Sequence, residues 1–184
     1  RGIGLAIATA LARDGMQVVL VDLLPQVQDA AEALVRQGHA ALAERCDISR
    51  EAAVTRLVAR ILRRCGRIDV LVNNAGIAPK HQGVRLPTVQ VPLAEWQRVL
   101  DINLTGAFLM ARAVVPVMAQ RSWGRVVNMA SQAGRTGSSM AGSHYSASKA
   151  GLNGSQFGLH HARCNAIHGD ALPGHFKGEG ARQA

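Results

Sequence analysis

Short β-branched runs separated by segments of helical period constrain this chain more than any other feature. M-Q-V-V-L-V-D, A-A-L-A-E-R-C-D, R-I-D-V-L-V-N-N-A-G and G-R-V-V-N-M-A-S read as strands of the kind buried in a parallel sheet. Between them lie helical patterns. I-G-L-A-I-A-T-A-L-A-R-D-G stops at Gly15, a second segment covers residues 26–37 and stops at Gly38, and a third runs from an expected N-cap at Ser49 to about Arg64, closed by Gly66. A polar loop with Pro79, Pro87 and Pro92 precedes a long helix from about Leu93 to Gln120, and a later helix carries Tyr145 and Lys149. Strands that alternate with helices require right-handed crossovers and a parallel sheet covered on both faces. The expectation is one α/β domain with a doubly wound, Rossmann-like sheet.

Composition narrows the function classes. Hydrophobic residues make up 48% and charged residues 18%, the profile of a globular chain with a real core. No signal peptide and no apolar run long enough for a bilayer are read, so no membrane partner is expected. The formal net charge is +9, with 21 basic residues against 12 acidic. The tightest basic group, Arg56, Arg60, Arg63, Arg64 and Arg67, has no interleaved aromatics to stack on bases, so a solvated helix face is expected and no nucleic-acid partner. Cys46, Cys65 and Cys164 are odd in number and widely spaced, which fits reduced thiols in the cytoplasm.

Several short stretches carry chemistry. Arg1-Gly2-Ile3-Gly4 directly precedes a helix, where glycines let an anion approach free N–H groups at the positive end of the helix dipole. Asp22 follows Gly4 by 18 residues at the end of the next strand, where a dinucleotide fold places an acid for the adenosine ribose hydroxyls. Tyr145, the only tyrosine, stands four residues before Lys149, one of three lysines, so both reach one helix face. An ammonium beside a phenol favours the phenolate, which can then exchange a proton with an alcohol or carbonyl oxygen.

In this order, R-G-I-G, terminal Asp22, C-D-I-S, N-N-A-G, D-I-N-L-T-G, V-N-M-A-S and Y-S-A-S-K resemble the short-chain dehydrogenase/reductase family over roughly residues 1–154. The resemblance implies hydride transfer between a nicotinamide cofactor and a secondary alcohol or ketone. Tyr145 would give or take the substrate proton. Lys149 would favour its phenolate and hold the nicotinamide ribose. Ser131 would bind the substrate oxygen, and Asn103 would hold a water beside Lys149. Asp47 would contact the adenine, Ile48, Asn74, Ala75 and Gly76 would line the cofactor, and Asn73 would tie the central strands together. Asp22 would repel a 2′-phosphate, whereas Arg1 would favour one; the acid outweighs the base, so NAD is expected over NADP. The substrate is a small molecule that the sequence does not identify. Pairing of the long helices would give a homo-dimer or homo-tetramer, with contacts near Trp96 to Met118.

Both ends depart from the family pattern. The family's first strand, central in its sheet order 3-2-1-4-5-6-7, is not read, which would leave the strands around Val19 and Leu71 without their common neighbour. Residues 155–184 form a divergent tail in which A-R-C-N-A-I-H-G-D is similar to the family's sixth strand. The alternative reading is therefore a non-catalytic chain that at most binds nucleotide weakly. His160, His161, Cys164 and His168 match no metal-site spacing, and no metal is expected.

Overall fold

The computed structural model describes residues 1–136 and 140–155, together with the backbone of residues 165–168. Helix α1 (Gly2–Arg13) leads into β1 (Val18–Asp22), α2 (Val27–Arg36), β2 (Ala41–Arg45), α3 (Glu51–Cys65) and β3 (Val70–Asn73). A loop with a 3₁₀ turn at Thr88–Gln90 then reaches α4 (Leu93–Leu100), a π turn (Asp101–Thr105) and α5 (Gly106–Gln120), which run on as one helix. Strand β4 (Arg125–Asn128), the short α6 (Ala133–Thr136), α7 (Ser143–Gly154) and β5 (Asn165–His168) follow.

The strands form two parallel pieces. β1 pairs with β2, with Val18 opposite Ala41 and Asp22 opposite Arg45. β4 lies between β3 and β5, with Asn73 opposite Asn128 and Val126 opposite Ala166. No hydrogen-bonded pairing joins β1 to β3 among the described residues, as expected for strands that lack a shared neighbour. Apolar packing bridges them instead: Val19 and Val21 of β1 rest on the cluster that contains Leu71 and Val126. β5 occupies the place beside β4 expected of the sixth strand.

The main core lies between the sheet and the helices α3 and α5. On α3, Val54, Leu57, Val58 and Ile61 recur at helical spacing and are all buried. They meet Leu109, Met110, Val114 and Met118 of α5. Burying a side chain such as Leu57 completely contributes roughly 1.5–3 kcal/mol. A second cluster, Ala12, Val18, Ala31, Leu34 and Ala41, holds α1 and α2 on β1 and β2.

Two local expectations are corrected and two are met. The helix Leu93–Gln120, with 28 residues and a mean hydropathy of 1.5, is by length and composition sufficient to cross a membrane, contrary to the expectation of no such run. Arg112 is one of the few charges to break its apolar stretch; the buried face of α5 is built into the core against α3. The N-cap of α3 is Arg50, with no side-chain cap, because the Ser49 hydroxyl is drawn to Asp47. Gly66 closes α3 as expected, in the left-handed conformation at φ +74° that favours glycine. The basic group is the expected solvated face: Arg60 and Arg64 pair with Glu44 and Arg67 with Asp69, while Arg56 and Arg63 are exposed.

Candidate active site

Parallel sheets present their working groups beyond the carboxyl ends of the strands. Here β1 ends at Asp22, β2 runs into Cys46-Asp47-Ile48, β3 into Asn74-Ala75-Gly76, and β4 into Met129-Ala130-Ser131. Asn73 donates from Nδ2 to Asn128 Oδ1 (2.9 Å) and to the Ala107 carbonyl (3.4 Å), tying β3 to β4 and α5 as the resemblance implied.

Asn103 sits in the π turn and is 1% exposed. Such widened turns break the regular helical ladder and recur at functional sites. Its Oδ1 accepts from the Ile77 N–H (2.7 Å), and its Nδ2 donates to the Ile77 carbonyl (2.9 Å) and to Ser148 Oγ (3.1 Å). Ser148 Oγ in turn donates to the Tyr145 carbonyl (2.7 Å). One buried carboxamide therefore locks the loop after β3 to the helix that carries Tyr145.

Tyr145 and Lys149 share a face of α7, with the Lys149 Nζ 5.8 Å from the centre of the phenol ring. Lys149 is 5% exposed and donates to the Met129 carbonyl (2.6 Å), which fixes the ammonium between α7 and the end of β4. A Cβ on Gly134 would fall 2.6 Å from the backbone of Lys149 and Ala150, so α6 approaches α7 closely only because this residue is glycine. A Cβ on Gly76 would lie 3.2 Å from Asn103 Oδ1 and 3.6 Å from Lys149 Nζ, so these groups converge over the N-N-A-G turn. Ser131 lies beyond β4, where its Oγ accepts from the Ala133 N–H (3.2 Å).

Burial lowers the Lys149 pKa from the ordinary 10.5, because desolvation penalises the ammonium. Between the lowered folded value and 10.5 the unfolded chain binds the extra proton, so this residue makes stability rise with pH across that interval. Urea unfolding at a series of alkaline pH values should show this rise as a difference between wild type and Lys149→Met. Parallel curves for the two proteins would rule it out.

The residues expected to hold a dinucleotide also converge in part. No side chain caps α1 and its first turn carries no acid, so the N–H groups of Gly2, Ile3 and Gly4 are left for an anion. A Cβ on Gly4 would be 2.5 Å from Asn74 Nδ2, which places the glycine turn directly against N-N-A-G. Asp22 accepts from the Leu24 N–H (3.0 Å), and Arg45, its partner across the strands, donates to the Leu23 carbonyl (3.3 Å). Asp47 accepts from the Ser49 hydroxyl (2.6 Å) and N–H (3.1 Å). The Ser49 hydroxyl is the main reason its pKa is lowered. A Cβ on Gly106 would strike the Ile48 side chain at 2.8 Å, so Ile48 is seated on the start of α5. These glycine approaches and uncapped amides fit a dinucleotide: the amides would take its pyrophosphate and Asp22 its ribose. Arg1 is exposed at the helix start.

Some supporting groups were not anticipated: Ile77, Met129, Ser148 and Arg45. Ile77 and Met129 act through backbone groups, Arg45 reaches across the strands and Ser148 acts through its hydroxyl; only the spacing of Ser148 within Y-S-A-S-K offered a signal. His160, His161 and Cys164 lie outside the described residues, as does the side chain of His168. Among the described residues no group of three His, Cys, Asp or Glu side chains is arranged to hold a metal.

Residues 1–163 match the family model described as short chain dehydrogenase. A 3-oxoacyl-[acyl-carrier-protein] reductase of Synechocystis sp. is 40% identical over 158 residues, covering 84% of this chain and 61% of that protein. The chain thus spans about three-fifths of that relative's length. The crystal structure of a 3-oxoacyl-[acyl-carrier protein] reductase with bound NAD from Brucella melitensis superposes with a TM-score of 0.84 at 37% identity, covering 91% of this chain and 65% of that one. A metagenomic short-chain oxidoreductase in complex with NADP gives 0.82 at 32% identity, covering 91% and 76%.

Proposed function

The chain belongs to the short-chain dehydrogenase family, and from that premise we propose that its protein interconverts a secondary alcohol and a ketone with Tyr145 as acid and base. The observation that carries this reading is the buried Lys149 ammonium, fixed on the Met129 carbonyl and facing the Tyr145 ring. Tyr145 takes the alcohol proton during oxidation and returns one to the carbonyl oxygen during reduction. Ser131, beyond the end of β4, donates to the same oxygen and steadies its developing charge. Lys149 holds positive charge beside the phenol, and Asn103 keeps the loop and α7 in register around it. A bound nicotinamide supplies or accepts the hydride.

NAD is the proposed cofactor. Asp22 ends β1, where the family resemblance puts the adenosine ribose, and its charge would repel a 2′-phosphate; of the two solved relatives described above, one carries NAD and the other NADP. Arg45 opposite Asp22 supplies the positive charge that a 2′-phosphate would need once the acid is gone. The substrate carries an open or cyclic carbonyl; a β-keto ester is the first probe, since two relatives are named for 3-oxoacyl reduction. Association into a dimer through the Trp96 to Met118 region completes the reading, and Phe108, 54% exposed, lies on that stretch.

The test is reduction of ethyl acetoacetate, a keto-sugar acid and a cyclohexanone carboxylate by the protein with NADH and with NADPH. Turnover of at least one ketone, faster with NADH, is expected. Asp22→Ala should shift the NADPH-to-NADH ratio of kcat/KM upward by about tenfold or more. Nucleotide binding without reduction of any ketone would favour the binding-only alternative. An unchanged ratio in Asp22→Ala would remove the argument for NAD.

A further inference from the structure

Glu95 on α4 meets two histidines from distant parts of the chain, and one of them immediately precedes Tyr145. Its Oε2 is 2.7 Å from His81 Nε2 in the loop after β3, and its Oε1 is 3.3 Å from His144 Nε2 on α7. The His144 ring is 1% exposed, and neither ring nitrogen has a hydrogen-bond partner. The approach to Glu95 is therefore a close polar contact that is not aligned as a hydrogen bond. Leaving a buried polar group unsatisfied is costly, so the placement of this ring calls for a role. A Cβ on Gly142 would fall 2.3 Å from His144 Cε1, so the ring is folded back over the N-cap of α7. The loop that supplies His81 is itself closed by the bridge between His81 and Val84.

We infer that Glu95 and His144 are positioning residues: the carboxylate, steadied by His81, clamps the first turn of α7 and so sets Tyr145 relative to the loop after β3. None of the groups assigned to proton transfer or dinucleotide binding makes this contact. Asn103 joins the same loop to α7 one turn further on, through Ser148, so two independent ties bracket Tyr145. The catalytic part of the inference rests on Tyr145 being the acid and base. The clamp does not.

The experiment compares Glu95→Gln, His144→Leu and the double variant for reduction of whichever panel ketone the protein accepts. It also measures NADH affinity and amide hydrogen exchange over residues 143–146. Each single variant should lower kcat about tenfold, well inside the roughly hundredfold cost of a 1 Å misplacement. NADH affinity should stay within twofold, and the double variant should lose no more than either single one, because the pair acts as a unit. Exchange over residues 143–146 should quicken about tenfold in both. A merely structural role would weaken NADH binding and kcat together. If either single variant keeps kcat within twofold, or the two losses multiply, the inference is overturned. Glu95→Gln changes one atom of a partly exposed side chain, so it remains informative if His144→Leu fails to fold. Tyr145→Phe, run beside them, separates the two readings: retained activity there removes the role of Tyr145, while unchanged exchange in Glu95→Gln removes the clamp.

Discussion

Tyr145→Phe is expected to lower turnover about 10³-fold while leaving NADH affinity within a few fold. General acid–base catalysis contributes typically 10²–10⁴-fold, and this substitution removes the group proposed to exchange the substrate proton. The change deletes a single oxygen. The ring that lies near the Lys149 ammonium is kept, and that ammonium still donates to the Met129 carbonyl. The Tyr145 backbone carbonyl still accepts from Ser148, so the tie to Asn103 survives. What remains after the loss is the orientation of substrate and cofactor, which contributes on its own. The measurement is ketone reduction under saturating NADH, beside a fluorescence titration of the nucleotide. Activity within tenfold of wild type would show that the proton comes from elsewhere. A collapse of NADH affinity in step with kcat would show that the phenol supports binding, not chemistry.

The architecture was legible because it rests on short-range chemistry. Val18 to Asp22 and Val70 to Asn73 are strands for the β-branched reason that sequence reading uses, and Gly66 ends α3 because only glycine takes its φ cheaply. Failures occurred where two groups compete. Ser49 has the residue type of an N-cap, but Asp47, two positions earlier, accepts its hydroxyl first, and the helix starts one residue later. The π turn inside Leu93–Gln120 leaves the apolar periodicity almost unbroken, so the segment read as one plain helix. Nothing local marks its widening.

The candidate site divides the same way. Tyr145 and Lys149 stand four apart on one helix, so their shared face followed from helical geometry alone. The partners that make the pair usable are far off in the chain: Met129 is 20 residues from Lys149, and Ile77 is 26 from Asn103. Both contribute backbone groups, which carry no side-chain signal. The histidine before Tyr145 is the extreme case, since its burial depends on Gly142 behind it and Glu95 in front, 49 residues upstream.

Asn103→Ala should destabilise the fold by on the order of 3 kcal/mol and abolish the ordering of the loop after β3. The substitution strips partners from two groups at once, the Ile77 N–H and the Ile77 carbonyl. An unsatisfied buried backbone group costs about 1–3 kcal/mol, and the half-exposed loop can recover part of that by turning to water. Ser148 loses its donor from Asn103 but keeps its own bond to the Tyr145 carbonyl, so α7 should persist as a helix while losing its tether. Urea denaturation measures the first effect. Amide exchange of Ile77, slow in the wild type and fast in the variant, measures the second. A stability loss with Ile77 still protected would mean that the cost is only the cavity left by a buried side chain in a widened helical turn. Loss of protection with little change in stability would mean that the loop is held by Asn103 yet contributes little to the core. In both cases turnover should fall, because Asn103 and Lys149 converge over Gly76 and only one of them would remain in place.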